Sequence, residues 1–172
     1  GYEIYLSRPE LGASLWETIL EAGRSENIRP GSPNIIDRVE AGLLSYGNEM
    51  TVENTPLECN MDKFVDINKE ENYIGKKVLL RQIKYGIKRR IKGVIYEGPK
   101  LPTISRPLQV FDTDKRTIVG SLTSGAFSPH FESNIGVGMV KYGYWDNNKK
   151  ILVNIADQEF REGLIKDLPL IQ

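Results

Sequence analysis

The chain has 172 residues, enough for one globular domain or for a small domain with part of another. Its hydrophobic fraction of 40% and charged fraction of 27% are typical of a packed core and exclude extensive disorder. With 23 basic and 23 acidic residues the formal net charge is zero, so the composition predicts neither a nucleic acid nor a membrane surface as partner. The single cysteine, Cys59, cannot form an internal disulfide, which favours the cytoplasm.

The first segment of the chain has the pattern of a strand followed by a helix. Aromatic and branched side chains in residues 2–6 favour a strand. Ser7 lies three residues before Glu10, which is the spacing of a helix capping box. Apolar residues then recur at helical intervals, so we predict a helix over residues 8–22 that ends at Gly23.

Two more helices and a short strand are predicted in the next segment. Ser32 and Pro33 suit the N-cap and the first turn of a second helix, whose apolar residues continue towards a stop at Gly47. Residues 64–67 have the composition of a strand. A third helix is predicted to end at Gly86.

The pattern changes after residue 86, where short runs of branched residues alternate with turn sequences. Such spacing is typical of a small sandwich or barrel. We therefore predict an α+β fold: part of an α+β region over residues 1–86, then an all-β barrel or jelly-roll-like domain over residues 87–172. The runs predicted as strands comprise residues 91–97, 107–112, 116–122, 134–141 and 149–155.

Catalytic and metal motifs of several common kinds are missing from the sequence. His130 is the only histidine, and no serine lies in a Gly-x-Ser-x-Gly elbow, which disfavours a hydrolase triad. One histidine and one cysteine do not supply a zinc ligand set. Gly136 and Gly138 do not complete a nucleotide-binding loop; glycines within a strand favour a bulge or a tight barrel corner.

A basic segment lies between Asn72 and Tyr96, where the chain has no acidic residue. It is either a solvated surface with a basic linker, or a positive rim that attracts an anionic ligand such as a polyglutamylated folate tail. Its eight basic residues are Lys76, Lys77, Arg81, Lys84, Lys88, Arg89, Arg90 and Lys92.

Glu3 is a candidate ligand-binding residue on the predicted first strand. Strand alternation places Glu3 and Tyr5 on one face of that strand. A carboxylate can accept two parallel hydrogen bonds from an amino-pyrimidine edge, such as the edge that a pterin presents. The alternative is an ordinary exposed carboxylate at the edge of a sheet.

Several short motifs follow one another along the chain. They are G-Y-E-I-Y at 1–5, R-V-E-A-G-L-L-S-Y-G-N-E at 38–49, T-P-L-E at 55–58, Y-I-G-K at 73–76, T-S-G-A-F-S-P at 123–129 and N-I-G-V-G-M-V at 134–140. In this order they resemble the glycine cleavage T protein family, the aminomethyltransferases. The resemblance implies a folate-binding α+β body followed by a C-terminal β-barrel. It also implies that tetrahydrofolate accepts a one-carbon unit from a small-molecule amine or sulfonium donor.

The resemblance also implies roles for individual residues. The family's pterin-binding glutamate corresponds to Glu3. Asn34 occupies the position of a family arginine that helps hold folate, and asparagine lacks the guanidinium fork, so the tail or the donor is expected to be held differently. A related branch, the dimethylsulfoniopropionate demethylases, is similar around residues 29–34; there Tyr5 is placed to attract a sulfonium cation. The family's catalytic aspartate lies upstream of the matched region, so no catalytic residue is assigned.

Three functional hypotheses remain open from the sequence. In the first, the chain is the C-terminal portion of a tetrahydrofolate-dependent aminomethyl- or methyltransferase. In the second, it is a non-catalytic folate-binding protein on the same scaffold. In the third, it is a fragment that folds without turnover and self-associates through the apolar first strand. A lipoyl carrier protein is a partner if the glycine-cleavage hypothesis holds.

Overall fold

The structure of this chain, a computed structural model, describes residues 2–31 and 34–171. It contains two compact units, residues 1–33 and residues 34–172. The predicted start of the second helix, at residues 32–33, lies outside the described residues. No helix within the described ranges is both long and apolar enough to cross a membrane.

The first unit is built around one helix. A 3₁₀ turn, Pro9–Leu11, leads into helix α1, Gly12–Ala22, and the predicted helix over residues 8–22 is thereby confirmed. The predicted capping box is wrong, because the N-cap of the turn is Arg8 and no side chain caps it. Pro9 at the first turn and Gly23 at the end remain the local signals that bound the helix.

The strand predicted over residues 2–6 is wrong, because this segment is irregular coil in the structure. Aromatic and branched residues favour a strand only where a neighbouring strand supplies ladder hydrogen bonds. The described residues of the first unit provide no such neighbour. The side chains of Tyr2, Ile4 and Tyr5 are therefore exposed.

Helix α2, Ile35–Glu40, is much shorter than the sequence pattern predicts. It ends at Gly42, which has a φ of +67°, and not at Gly47. The N–H of Leu43 bonds to the carbonyl of Arg38 at 2.9 Å, which is the hydrogen bond of a Schellman motif. Glycine tolerates this left-handed conformation, so the helix stops at the first glycine that the chain offers.

The segment between α2 and the barrel contains one further helix. Helix α3, Lys76–Tyr85, ends at Gly86 with a φ of +83°, which confirms the predicted third helix. The strand predicted over residues 64–67 is wrong. A 3₁₀ turn, Asp62–Phe64, occupies its start, and no strand pairs with the rest.

Six antiparallel strands close into a barrel with the order β1-β4-β3-β2-β5-β6. The five predicted runs correspond to the first five strands, and the predicted fold class is confirmed; the sixth strand was missed. The domain boundary near residue 87 stays a prediction. The strands are β1 Arg89–Tyr96, β2 Leu108–Phe111, β3 Ile118–Ser128, β4 Ser133–Lys141, β5 Lys150–Ala156 and β6 Glu159–Lys166.

Two apolar clusters stabilise the second unit. One fills the barrel and includes Val94, Tyr96 and Ile165, all at most 2% exposed. The other joins Val39 of α2 to Ile135 and neighbouring side chains on the barrel wall. Each fully buried aliphatic side chain contributes roughly 1.5–3 kcal/mol relative to an exposed one. Helix α2 is thus held on the barrel by its apolar face.

The glycines of β4 lie where β3 contains a bulge. The register of the β3–β4 pair shifts between Leu122 and Ser124. A Cβ atom on Gly138 would lie 1.9 Å from the carbonyl oxygen of Ser121, closer than any real contact. The predicted bulge near Gly136 and Gly138 is therefore confirmed, and its cause is close backbone approach.

Replacing Gly138 with alanine is expected to destabilise the protein by about 1–3 kcal/mol, because the β3 backbone must move to admit the new methyl group. The measurement is the free energy of unfolding in urea. The control is Gly136→Ala on the same strand, whose methyl group meets the end of the Leu122 side chain at 2.8 Å, an atom that can rotate away. Equal losses in the two variants would contradict the backbone explanation.

Candidate functional site

Two of the predicted binding residues, Glu3 and Tyr5, lie side by side on the surface of the first unit. The Tyr5 hydroxyl donates a hydrogen bond to the Glu3 carboxylate. This hydrogen bond raises the pKa of the Tyr5 phenol. An ionised carboxylate offers roughly four acceptor positions, so Glu3 keeps positions for N–H donors of a ligand. Their predicted role in binding stays a prediction.

The third predicted site residue, Asn34, caps helix α2 in the second unit. Its Oδ1 accepts a hydrogen bond from the backbone N–H of Asp37 at 2.9 Å. Its Nδ2 donates to the Asp37 carboxylate at 2.6 Å. Both interactions stabilise the first turn of the helix, and the amide retains a second N–H that Asp37 does not use. A contact of Asn34 with folate or with the donor stays a prediction.

The R-V-E-A-G motif contributes a buried ion pair. Arg38 donates from Nη1 to Glu49 Oε2 at 2.9 Å and from Nη2 to Ser124 Oγ at 2.6 Å. The backbone N–H of Ser45 donates to the same Glu49 oxygen at 2.7 Å. Glu49 is 3% exposed. These bonds join α2, the loop that follows it and strand β3.

Opposing effects act on the ionisation of Glu49. Burial favours the neutral carboxyl, but the Arg38 guanidinium, the Ser124 hydroxyl and the Ser45 N–H together outweigh burial and lower the pKa of Glu49. The carboxylate is therefore ionised at neutral pH and fully engaged by protein donors. Such a group stabilises the fold and leaves no obvious place for a ligand.

The T-P-L-E motif connects its loop to the barrel. Glu58 accepts a hydrogen bond from Arg89 Nε at 3.0 Å and from the Thr55 N–H at 3.0 Å. The Asn60 amide donates to the carbonyl of Ile91 at 2.9 Å. The loop is thereby fixed to the first half of strand β1.

The motifs of β3 and β4 also make internal contacts. The Ser128 hydroxyl donates to Glu40 Oε1 at 2.5 Å and accepts the N–H of Phe131 at 3.1 Å. Asn134 accepts the N–H of Leu101 at 2.9 Å. These contacts fix the turn between β3 and β4 and the loop after β1.

Most of the motif polar groups are thus structural. The described chain has seven buried polar or charged residues, and six of them belong to the motifs. The seventh, Lys92, pairs with Asp167. The six are Glu40, Glu49, Glu58, Ser124, Ser128 and Asn134.

A cleft of about 710 Å³ between the 62–64 turn and helix α3 was missed by sequence reasoning. Exposed Phe64, Ile74 and Val78 line it. One polar contact across it joins the Tyr73 hydroxyl to the carbonyl of Asp66 at 3.5 Å. The sequence signal that could have predicted this cleft is the apolar residues of the wrongly predicted strand and of the start of α3. Such a surface suits apolar packing better than acid–base chemistry.

The basic segment divides into engaged and unengaged cations. Lys76 donates to backbone carbonyls, while Arg89, Arg90 and Lys92 form ion pairs with acids. Within residues 2–31 and 34–171, no salt bridge involves the other four, which are Lys77, Arg81, Lys84 and Lys88. The same ranges contain no cluster of acidic, histidine and cysteine side chains that could hold a metal ion.

Replacing Arg38 with methionine is expected to cost about 3–5 kcal/mol, because Glu49 loses its buried countercharge. The lowered pKa of Glu49 makes its contribution present above the ordinary carboxyl pKa and lost as the pH falls through the lower folded value. The difference between wild type and variant should therefore shrink between about pH 7 and about pH 3. Urea unfolding at both pH values measures it.

The control for this prediction is Lys69→Met, which removes an exposed ion pair with Glu71 at 4.0 Å. It should cost no more than about 1 kcal/mol at either pH. A loss from Arg38→Met as small as the control loss, or one independent of pH, would show that the ion pair does not support the fold.

Two family models match the chain in order. The GCVT N-terminal domain matches residues 1–69, and the glycine cleavage T-protein C-terminal barrel domain matches residues 89–168. The second match covers nearly the whole of the closed barrel described above.

Individual relatives agree with the family models. The dimethylsulfoniopropionate demethylase DmdA of Ruegeria pomeroyi is 43% identical over 84% of this chain and 38% of its own length. An aminomethyltransferase of Caldanaerobacter subterraneus subsp. tengcongensis is 38% identical over 96% of this chain and 43% of its own length. The chain therefore spans about two fifths of the length of these curated relatives.

The fold has a counterpart among crystal structures. The glycine cleavage system aminomethyltransferase T from Bartonella henselae matches 78% of this chain and 37% of its own chain, with a TM-score of 0.68 and 24% identity. At that identity the likeness supports the fold alone. The two family domains and the curated relatives show that the chain belongs to the glycine cleavage T-protein family.

Proposed function

We propose that this chain forms the C-terminal portion of a tetrahydrofolate-dependent one-carbon transferase of the aminomethyltransferase type. The observation that carries the proposal is the exposed Glu3–Tyr5 pair, which lies in the segment matched by the family's N-terminal domain. Relatives named aminomethyltransferase match nearly the whole of the chain, which supports the assignment.

The groups that the pair presents fit a pterin. Tetrahydrofolate supplies the nitrogen that accepts the one-carbon unit. Glu3 accepts two parallel hydrogen bonds, from a ring N–H and from the exocyclic amine of the pterin. The Tyr5 hydroxyl orients the carboxylate by the hydrogen bond that it already donates. Glu3 and Tyr5 are therefore binding residues in this proposal, and neither transfers a proton.

Asn34 is assigned a contact with the folate tail or with the donor. Its oxygen is committed to the N-cap, and one N–H is committed to Asp37. The second N–H donates to the ligand. A single neutral donor replaces the charged, bidentate fork of an arginine, so this contact is weaker and less selective for a carboxylate.

The remaining partners belong to the same proposal. Turnover requires the family's catalytic aspartate, which lies outside the matched region; without turnover the same contacts describe a non-catalytic folate-binding protein. A lipoyl carrier protein is the partner if the donor is an aminomethyl group, and the proposed compartment is the cytoplasm. Self-association is proposed through exposed Tyr2 and Ile4.

A second candidate function is a demethylase that takes a methyl group from a sulfonium donor. It is favoured by the 43% identity to dimethylsulfoniopropionate demethylase DmdA and by the asparagine at position 34. Tyr5 is 87% exposed, so its ring face is open to a cation beside Glu3.

Replacing Glu3 with glutamine in the full-length protein is expected to weaken tetrahydrofolate binding by about 10- to 100-fold, because charge-assisted hydrogen bonds are lost. Isothermal titration calorimetry measures the dissociation constant. Glu17→Gln, an exposed glutamate of α1 in the same unit, is the charge-matched control and should leave binding unchanged.

The same titration tests Asn34. Asn34→Ser keeps an oxygen that can cap α2 but lacks the amide donor, so it should weaken binding at nearly unchanged stability. Wild-type affinity in both Glu3→Gln and Asn34→Ser would refute the proposed folate contacts.

Replacing Tyr5 with leucine separates the two candidate functions. With a sulfonium donor, Tyr5→Leu should raise KM by about 2- to 30-fold, whereas Tyr5→Phe keeps the ring face and most of the affinity. Initial rates with dimethylsulfoniopropionate and with an aminomethyl donor measure the effect. A sulfonium KM unchanged in Tyr5→Leu would exclude the cation–π contact.

A further inference from the structure

A second cleft, of about 1000 Å³, lies at the end of helix α3 and the start of strand β1. Its walls bring together Arg81, Tyr85, Lys88 and Tyr142. The N–H of Tyr142 donates to the carbonyl of Lys88 at 2.9 Å, which fixes the end of β4 against the segment that precedes β1. This bond sets the position of Tyr142 relative to Lys88, while Arg81 and Tyr85 are placed by helix α3.

Two cations of this cleft are available to a ligand. Arg89 is engaged by Glu58 at 3.0 Å, and Lys141 donates to a backbone carbonyl at 2.7 Å. Arg81 and Lys88 are exposed, and within the described ranges neither forms a salt bridge or donates a side-chain hydrogen bond. Glu58 is the only acid in the lining, and it is already neutralised. The cleft is thus electropositive.

Two exposed aromatic rings stand beside these cations. Tyr85 is 74% exposed and Tyr142 is 72% exposed. Trp145 packs edge-on against Tyr142 with ring centroids 5.1 Å apart, which restricts the ring and leaves much of it accessible. Tyrosine faces next to free cations suit a ligand with a planar aromatic body and an anionic group.

An unpartnered acceptor completes the cleft. Gln82 lines it, and the Oε1 atom of Gln82 is buried with no hydrogen-bond partner in the described structure. A buried carbonyl without a donor costs free energy, which a ligand with an amino group recovers when the amide turns towards it. An ionised carboxylate has no donor to give.

We propose that this cleft binds a purine nucleotide, a function beyond the proposed one-carbon transfer. The phosphates lie between Arg81 and Lys88. The base packs against Tyr85 and Tyr142, and its amino group donates to Gln82 Oε1. An acidic peptide would pair with the two cations but would leave both tyrosine rings unused.

Calorimetric titration of the protein with ATP, adenosine, tripolyphosphate and hexaglutamate, without divalent cations, tests the proposal. ATP should bind more tightly than adenosine, which lacks the phosphates, and more tightly than tripolyphosphate, which lacks the base. The double variant Arg81→Gln/Lys88→Gln should weaken ATP binding at least about tenfold, as expected for two charge-assisted contacts. Tyr142→Leu should weaken ATP and adenosine but not tripolyphosphate.

The matched control is Lys69→Gln/Lys77→Gln, which removes the same charge at two exposed residues outside the cleft lining. It should retain wild-type ATP affinity, and circular dichroism melting establishes that each variant is folded. The proposal is overturned if ATP does not bind, or if the control variant loses as much affinity. It is equally overturned if tripolyphosphate or hexaglutamate binds as tightly as ATP.

Discussion

The second unit depends on a buried guanidinium–carboxylate pair. Arg38 belongs to a helix of only six residues, which is too short to be stable by itself. Its side chain reaches Glu49 in the following loop and Ser124 on β3, so one cation organises three parts of the chain. Removing two charges from water is costly, and the pair is tolerated because the backbone N–H of Ser45 also satisfies the carboxylate.

Buried, bonded side chains of this kind mark the family but do not by themselves indicate an activity. The motif side chains that give the resemblance are mostly buried and bonded to one another or to the backbone, as Glu58 and Asn134 are. These side chains hold the loops against the barrel, so their presence indicates the shared fold. Glu3 and Asn34 differ from them, because each is exposed and retains hydrogen-bonding capacity. Any difference in chemistry between relatives is expected at such exposed positions.

Sequence patterns predicted the helices and strands that depend on nearby residues. Helices α1 and α3 end at glycines, and the alternation of branched residues marked β1 to β5. The strands predicted over residues 2–6 and 64–67 failed because side-chain propensity cannot supply a neighbouring strand. The sixth strand was missed because charged residues such as Arg161 interrupt its apolar run. Its pairing with β1 and β5 closes the barrel, a requirement that only the tertiary structure imposes.

The two proposed ligand sites differ in how well sequence alone could predict them. Glu3 and Tyr5 are two residues apart, so their hydrogen bond is a local contact that needs no neighbouring strand. The cleft beside Arg81 instead requires Tyr142, which arrives from the far end of β4 through the β1–β4 register. No sequence periodicity near Arg81 or near Tyr142 predicts that these two side chains lie close together. A basic helix face becomes a shaped site only because barrel closure supplies its aromatic wall.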